Sequence, residues 1–203
     1  MKITLTDGKI LELPEGTTVA GVAGAISDGL KRNAVAGKVN GHLVDLSYPV
    51  NEDAEVTVIT LKDPEGLQIY RHTCAHVLAQ ALKHIYPTCS LAIGPTIENG
   101  FYYDVDFKTP ITQDDLAKVE EEMKKIIKGN FPVERFELSR EDAVKLMTKY
   151  NEPYKVELIN DLPEGSVISF YKQGDFTDLC RGPHLPSTGL IKAFKLTSLA
   201  GAY

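Results

Sequence analysis

Apolar and polar positions alternate with a period of two over residues 1–13, with Ile3 and Leu5 before Asp7-Gly8 and Ile10, Leu11 and Leu13 after it. Alternation interrupted by Asp-Gly predicts a β-hairpin, because both turn positions tolerate positive φ. The period then changes. Thr17 or Thr18 caps a short helix carrying Val19, Val22, Ala23 and Ile26, predicted to end near Gly29. A second hairpin is predicted with Val39-Asn40-Gly41-His42-Leu43 at its turn, and Val56, Val58 and Ile59 mark a last strand. Hairpins around one helix within about 60 residues imply a small sheet gripping that helix.

Lys62-Asp63-Pro64-Glu65-Gly66 is polar and contains a helix breaker, so the domain join is placed there, dividing the chain into 1–62 and 63–203. Beyond it the pattern becomes helical. Arg71–Tyr86 carries Ala75, Leu78, Ala79, Leu82 and Ile85 at three- and four-residue spacing, ended by Pro87. A strand is expected over Phe101-Tyr102-Tyr103-Asp104-Val105. A charged helix starts at Thr112 with Leu116, Val119, Met123 and Ile126 as its buried stripe, stopping at Gly129-Asn130. Its run from Glu120 to Lys128 reads as a solvated face. Ser139 with Asp142 resembles a capping box for a helix to Tyr150, and Tyr154–Tyr203 reads as strands and loops. The fold class is α+β.

Composition adds exclusions. The 203 residues are 43% hydrophobic and carry three cysteines, an odd number at irregular spacing that argues for a reducing cytoplasm rather than a disulfide framework. The longest apolar run, Val19–Ile26, falls short of the roughly 20 residues that cross a bilayer, and no signal peptide is expected at the N-terminus. Net charge is −6, distributed as −2 over residues 1–62 and −4 over the rest, so any RNA contact must come from local patches.

The chemistry-bearing types fall in two clusters. His72 and His76 are spaced i, i+4 and share one helix face. Cys180 and His184 lie about a hundred residues later in Asp178-Leu179-Cys180-Arg181-Gly182-Pro183-His184, where Gly182-Pro183 imposes a turn. Three imidazoles and a thiol suit a zinc shell. They also suit metal-free acid–base work near neutral pH. Spacing does not decide between these, and each residue alone also suits a structural role.

His72-Thr73-Cys74-Ala75-His76, Ile93-Gly94-Pro95, Asn99-Gly100-Phe101-Tyr102-Tyr103-Asp104 and the segment Asp178–His184, in this order, resemble the N-terminal half of bacterial threonyl-tRNA synthetases. The resemblance implies a ubiquitin-like (TGS, β-grasp) domain before an editing domain. The implied substrate is serine wrongly esterified to the 3′-terminal adenosine of threonine tRNA, and the implied reaction is hydrolysis of that ester. His72 would position or deprotonate water beside His76, and Lys155 would stabilise developing charge. Asp178 would hold the seryl ammonium, Cys180 and His184 would line the pocket, and Tyr103, Gly94 and Pro95 would contact substrate. No zinc would be required. Neither a Walker-type loop nor the motifs for amino-acid activation occur, so an N-terminal fragment is expected, with homodimerisation through the missing catalytic part. Two other classes stand beside this one: a zinc-dependent deacylase, and a non-catalytic RNA-binding module.

Overall fold

A computed structural model describes residues 1–201, which divide into two compact units: Met1–Tyr70 with Gly182–Pro186, and Arg71–Arg181 with Ser187 onwards. The division falls within a helix, whereas the polar join anticipated from the sequence lay at 62/63. Pro64 does not break the chain there. It opens the helix, where its fixed φ and missing N–H cost nothing, and the Leu67 N–H donates to Asp63 O.

The first unit is built from β1 (Lys2–Thr4), β2 (Ile10–Glu12), β3 (Thr17–Thr18), α1 (Val19–Ile26), α2 (Asp28–Asn33), β4 (Ala34–Val39), β5 (His42–Asp45), β6 (Pro49–Val50) and β7 (Ala54–Thr60). Its sheet has the order β2-β1-β7-β4-β5, with β1 and β7 parallel and the other pairs antiparallel, the β-grasp-like arrangement anticipated. Local chemistry explains the connections. Asn40 and Gly41 both take positive φ, so Val39 pairs with His42 across a two-residue turn. In the first hairpin only Gly8 does so, and the turn spans Leu5 to Lys9 rather than Asp7-Gly8 alone. The Thr18 hydroxyl accepts from Gly21 N, capping α1. That helix ends earlier than expected, because Ser27 is extended and starts α2, where Gly29 is internal. Ile3, Val22, Val50, Ala54 and Val56 form the core.

The second unit continues α3 (Pro64–Ile85) into β8 (Ser90–Leu91), β9 (Thr96–Ile97), β10 (Gly100–Phe101), β11 (Val105–Asp106), α4 (Leu116–Gly129), β12 (Val133–Glu137), α5 (Arg140–Lys149), α6 (Pro153–Asp161), β13 (Ser169–Gln173) and β14 (Phe176–Leu179). Strands β12, β13 and β14 make an antiparallel sheet in that order. Ala143, Met147 and Ile159 from α5 and α6 pack on Ile168 and Phe170, and Phe136 stacks on Phe170 at 5.5 Å.

Three expectations are corrected here. Phe101–Val105 is not one strand, because β10 pairs with β9 and β11 with β8, freeing Tyr102–Asp104 between them. The stretch from Tyr154 is not only strands and loops, since α6 begins with Pro153 at its first position. Glu120 is not solvated: its carboxylate takes the Leu196 N–H and Lys195.

The turn between β13 and β14 is tied down by His84. Its Nδ1 lies 2.8 Å from Glu122 and its Nε2 2.9 Å from Asp175, whose carboxylate also accepts from Gln80. Burial pulls the His84 pKa down, but hydrogen bonds to the two carboxylates outweigh it and raise it above the ordinary 6.5. A folded-state pKa above the unfolded one stabilises the fold below the unfolded value, and that contribution disappears as pH rises through the folded value. The stability gap between wild type and His84→Ala, from urea unfolding, is therefore expected to be widest at about pH 6 and to shrink by about pH 8.5. A gap independent of pH removes this role.

Candidate functional site

Strand β14 and helix α3 frame the chemistry of the second unit. Residues alternate along β14, so Phe176 and Asp178 are buried while Thr177 and Leu179 are only partly covered. Phe176 meets His76 edge-to-face at 6.4 Å, which turns this buried face of the strand toward α3. One helical turn apart on α3, His72 and His76 are themselves edge-to-face at 5.1 Å.

Asp178 is the centre. Its Oδ1 lies 3.0 Å from Lys155 Nζ, and its Oδ2 accepts from the Tyr103 hydroxyl at 2.7 Å. Lys155 Nζ also donates to Tyr103 Oη at 2.8 Å, closing a triangle of charge-assisted bonds. Asp178 and Lys155 are 2% and 3% exposed, so this pair is held almost entirely out of water. His76 Nε2 is 3.6 Å from Asp178 Oδ2, longer than a hydrogen bond. Each member of the triangle comes from a different element: Asp178 from β14, Lys155 from the first turn of α6 and Tyr103 from the segment between β10 and β11.

Tyr103 is seated by Gly94. A β-carbon on Gly94 would lie 2.3 Å from the ring, so only glycine lets the ring come this close. The backbone around it is pinned as well, with Tyr102 N donating to Pro95 O and Asp104 N to Ile93 O. Gly94 thus acts through Tyr103.

His72 is half-buried, and its Nε2 lies 3.3 Å from Cys180 Sγ. Burial lowers the His72 pKa, with Lys155 adding to that effect and Asp178 opposing it. Burial pushes His76 well below the ordinary range, reinforced by His72 and Lys155. Both imidazoles are therefore neutral near pH 7, the form in which a ring nitrogen can accept a proton. Burial, and then Asp178, drive the Tyr103 phenol well above its ordinary value, keeping it a hydrogen-bond donor.

His72, His76, Lys155, Asp178, Cys180, Tyr103 and Gly94 thus gather in the second unit. His184 is described with the first unit: it is 2% exposed, and its N–H donates to Asp45 Oδ1 at 2.9 Å. The direct partnership of Lys155 and Tyr103 with Asp178 escaped the sequence reading, because nothing in spacing links residues 103, 155 and 178. The one local signal was Glu152-Pro153 ahead of Tyr154-Lys155, a helix start that aims Lys155 inward. Metal-capable atoms of His72, His76 and Cys180 lie within 4.8 Å of one another, and two imidazoles with a thiol are donors that zinc accepts.

Comparison with known proteins agrees with this layout. The TGS domain family matches residues 1–60, and the family described as threonyl and alanyl tRNA synthetase second additional domain matches residues 168–201. Among similar proteins, the threonine–tRNA ligase of Acetivibrio thermocellus is 60% identical over all 203 residues. Those of Desulforamulus reducens and Clostridium tetani are 57% and 56% identical over the same length. The chain spans about a third of these relatives, 32% of each. Two domain matches in the expected order and identity along the whole chain make it a member of the bacterial threonine–tRNA ligase family, corresponding to the N-terminal part with its TGS and editing-associated domains.

Proposed function

We propose that the chain hydrolyses the ester between serine and the 3′-terminal adenosine of threonine tRNA, a proofreading step carried out in the cytoplasm. The observation that carries this reading is the buried Asp178–Lys155–Tyr103 triangle beside the neutral imidazole of His72. Proofreading has a physical motive. A site that accepts threonine gains only about 1–3 kcal/mol, roughly 10–200-fold, against a substrate lacking one methyl.

In the reaction, His72 takes a proton from water as the oxygen attacks the ester carbonyl carbon. Lys155 faces the oxyanion that forms. The bond from that carbon to the ribose 3′ oxygen then breaks, the imidazolium returns its proton to the leaving oxygen, and serine and a free terminal ribose are released. Asp178 retains acceptor positions beyond those used by Lys155 and Tyr103, and these receive the seryl ammonium. Tyr103, with Gly94 and Pro95 behind it, walls the pocket. His76 holds the ring of His72 in place. Cys180 lines the remaining side. Dimerisation through sequence outside these residues belongs to the same proposal.

A second reading has one observation in its favour, the close approach of His72, His76 and Cys180. Zinc held by these residues would supply an activated water in the same pocket. Elemental analysis of purified protein separates the two: less than about a tenth of an equivalent of zinc, with full activity in chelator, is expected of the metal-free reaction. Stoichiometric zinc lost together with activity overturns it.

His72→Ala is expected to slow release of serine from seryl-tRNA by about 10²–10⁴-fold while leaving the circular dichroism melt unchanged. Undiminished deacylation would take His72 out of the mechanism. The pH profile is a separate check. Since His72 titrates below 6.5, kcat/KM should rise with pH through the loss of one proton below pH 6.5. A midpoint above 7 contradicts the assignment of the base.

A further inference from the structure

A groove of about 540 Å³, with Cys180 in its lining, opens in the second unit. That volume lies within the range of small-ligand sites. Leu158 and Leu162 of α6 and Val167 before β13 form an apolar wall, and Arg135 of β12 and Arg181 after β14 supply positive charge. Leu158 and Val167 are 37% and 66% exposed, leaving apolar surface open to a ligand. Among the described residues, no aspartate or glutamate lines the groove. Arg181 is exposed, and Arg135 has only a loose 3.6 Å pairing with Glu137, both side chains being partly open to water. Such a pair contributes little and leaves the guanidinium able to turn toward an anion.

Cys180 belongs both to this groove and to the contact with His72 Nε2. We propose that the groove receives the unpaired nucleotides immediately before the terminal adenosine of the tRNA, a base lying on Leu158, Leu162 and Val167 while Arg135 and Arg181 bind its flanking phosphates. Charge complementarity selects this occupant. In a chain of net charge −6, two arginines without an acidic neighbour in the lining form a local basic patch, and the apolar wall beside them offers the bases a surface while the arginines take the phosphates. The proposal rests on the function proposed above, for it identifies how the same ester is delivered.

The test is binding of an unesterified, 5′-phosphorylated CCA trinucleotide to the intact chain, followed by calorimetry, which needs no catalysis. Arg135→Ala and Arg181→Ala are each expected to weaken binding about 5–10-fold, and each to reduce the slope of log affinity against log salt by about 0.7. Arg135→Lys should restore part of the affinity. Val167→Asp, at an exposed position that tolerates the change, should weaken binding to a similar degree. Lys145→Ala removes a positive charge on α5 outside the groove and should leave affinity and slope as they were. Equal affinity across the arginine variants, or a Lys145 effect as large as theirs, overturns the proposal. Hydrolysis of 3′-seryl-adenosine, which carries no phosphate, is measured on the unaltered chain. Turnover with arginine-independent CCA binding removes the groove alone, and arginine-dependent binding without turnover removes the hydrolytic reading alone.

Discussion

Holding the Asp178 carboxylate and the Lys155 ammonium away from water constrains everything around them. The penalty for taking such ions out of solvent is several kcal/mol each, and it is recovered only where geometry is good and the remaining lone pairs are used. Here both carboxylate oxygens are engaged, one by Lys155 and one by the Tyr103 hydroxyl, and Lys155 and Tyr103 are bonded to each other. Removing Lys155 or Asp178 leaves the opposite charge buried without its counter-ion, a loss on the order of 3–5 kcal/mol. Strand β14, the first turn of α6 and the segment at Tyr103 are therefore coupled through one set of bonds.

The same burial sets the protonation states. Neutral imidazoles at His72 and His76, beside a fixed ammonium, separate acid and base roles without a second carboxylate. Lys155 contributes twice, by neutralising Asp178 and by adding to the burial that holds both histidine pKa values down. Cys74 differs from Cys180 in this respect: on the helix interior, burial drives its thiol up to about 12, which makes it a packing residue. Of the two, only Cys180 is partly exposed and in contact with an imidazole.

Much of the fold was legible where chemistry is local. Asn40-Gly41, Thr18 and Ser139 each announce a turn or cap through a side chain or backbone preference of their own, and each performs it. Elements decided by tertiary partners were not legible. Helix α6 is nine residues long and buries few of them, so its period is hard to see, and Phe101–Val105 looks like one strand because its split between two partners is invisible in sequence. The site divides in the same way. The pairs His72/His76 and Asp178/Cys180 carry their spacing on their own elements. That Asp178 already holds Lys155 and Tyr103 depends on three elements meeting, which no spacing records.

Discrimination between serine and threonine demands a wall that does not yield to one methyl group. Flexible side chains are poor walls, since they relax around an added carbon at little expense. Tyr103 is a better one. Its ring lies against the Gly94 backbone with no space for a β-carbon, and its hydroxyl is fixed by Asp178 and Lys155 at the far end. Displacing the ring by the fraction of an ångström that a methyl requires would stretch two short bonds to buried charges at once. Under the proposed reading, the triangle that sets the protonation states also supplies the stiffness on which exclusion of threonine depends.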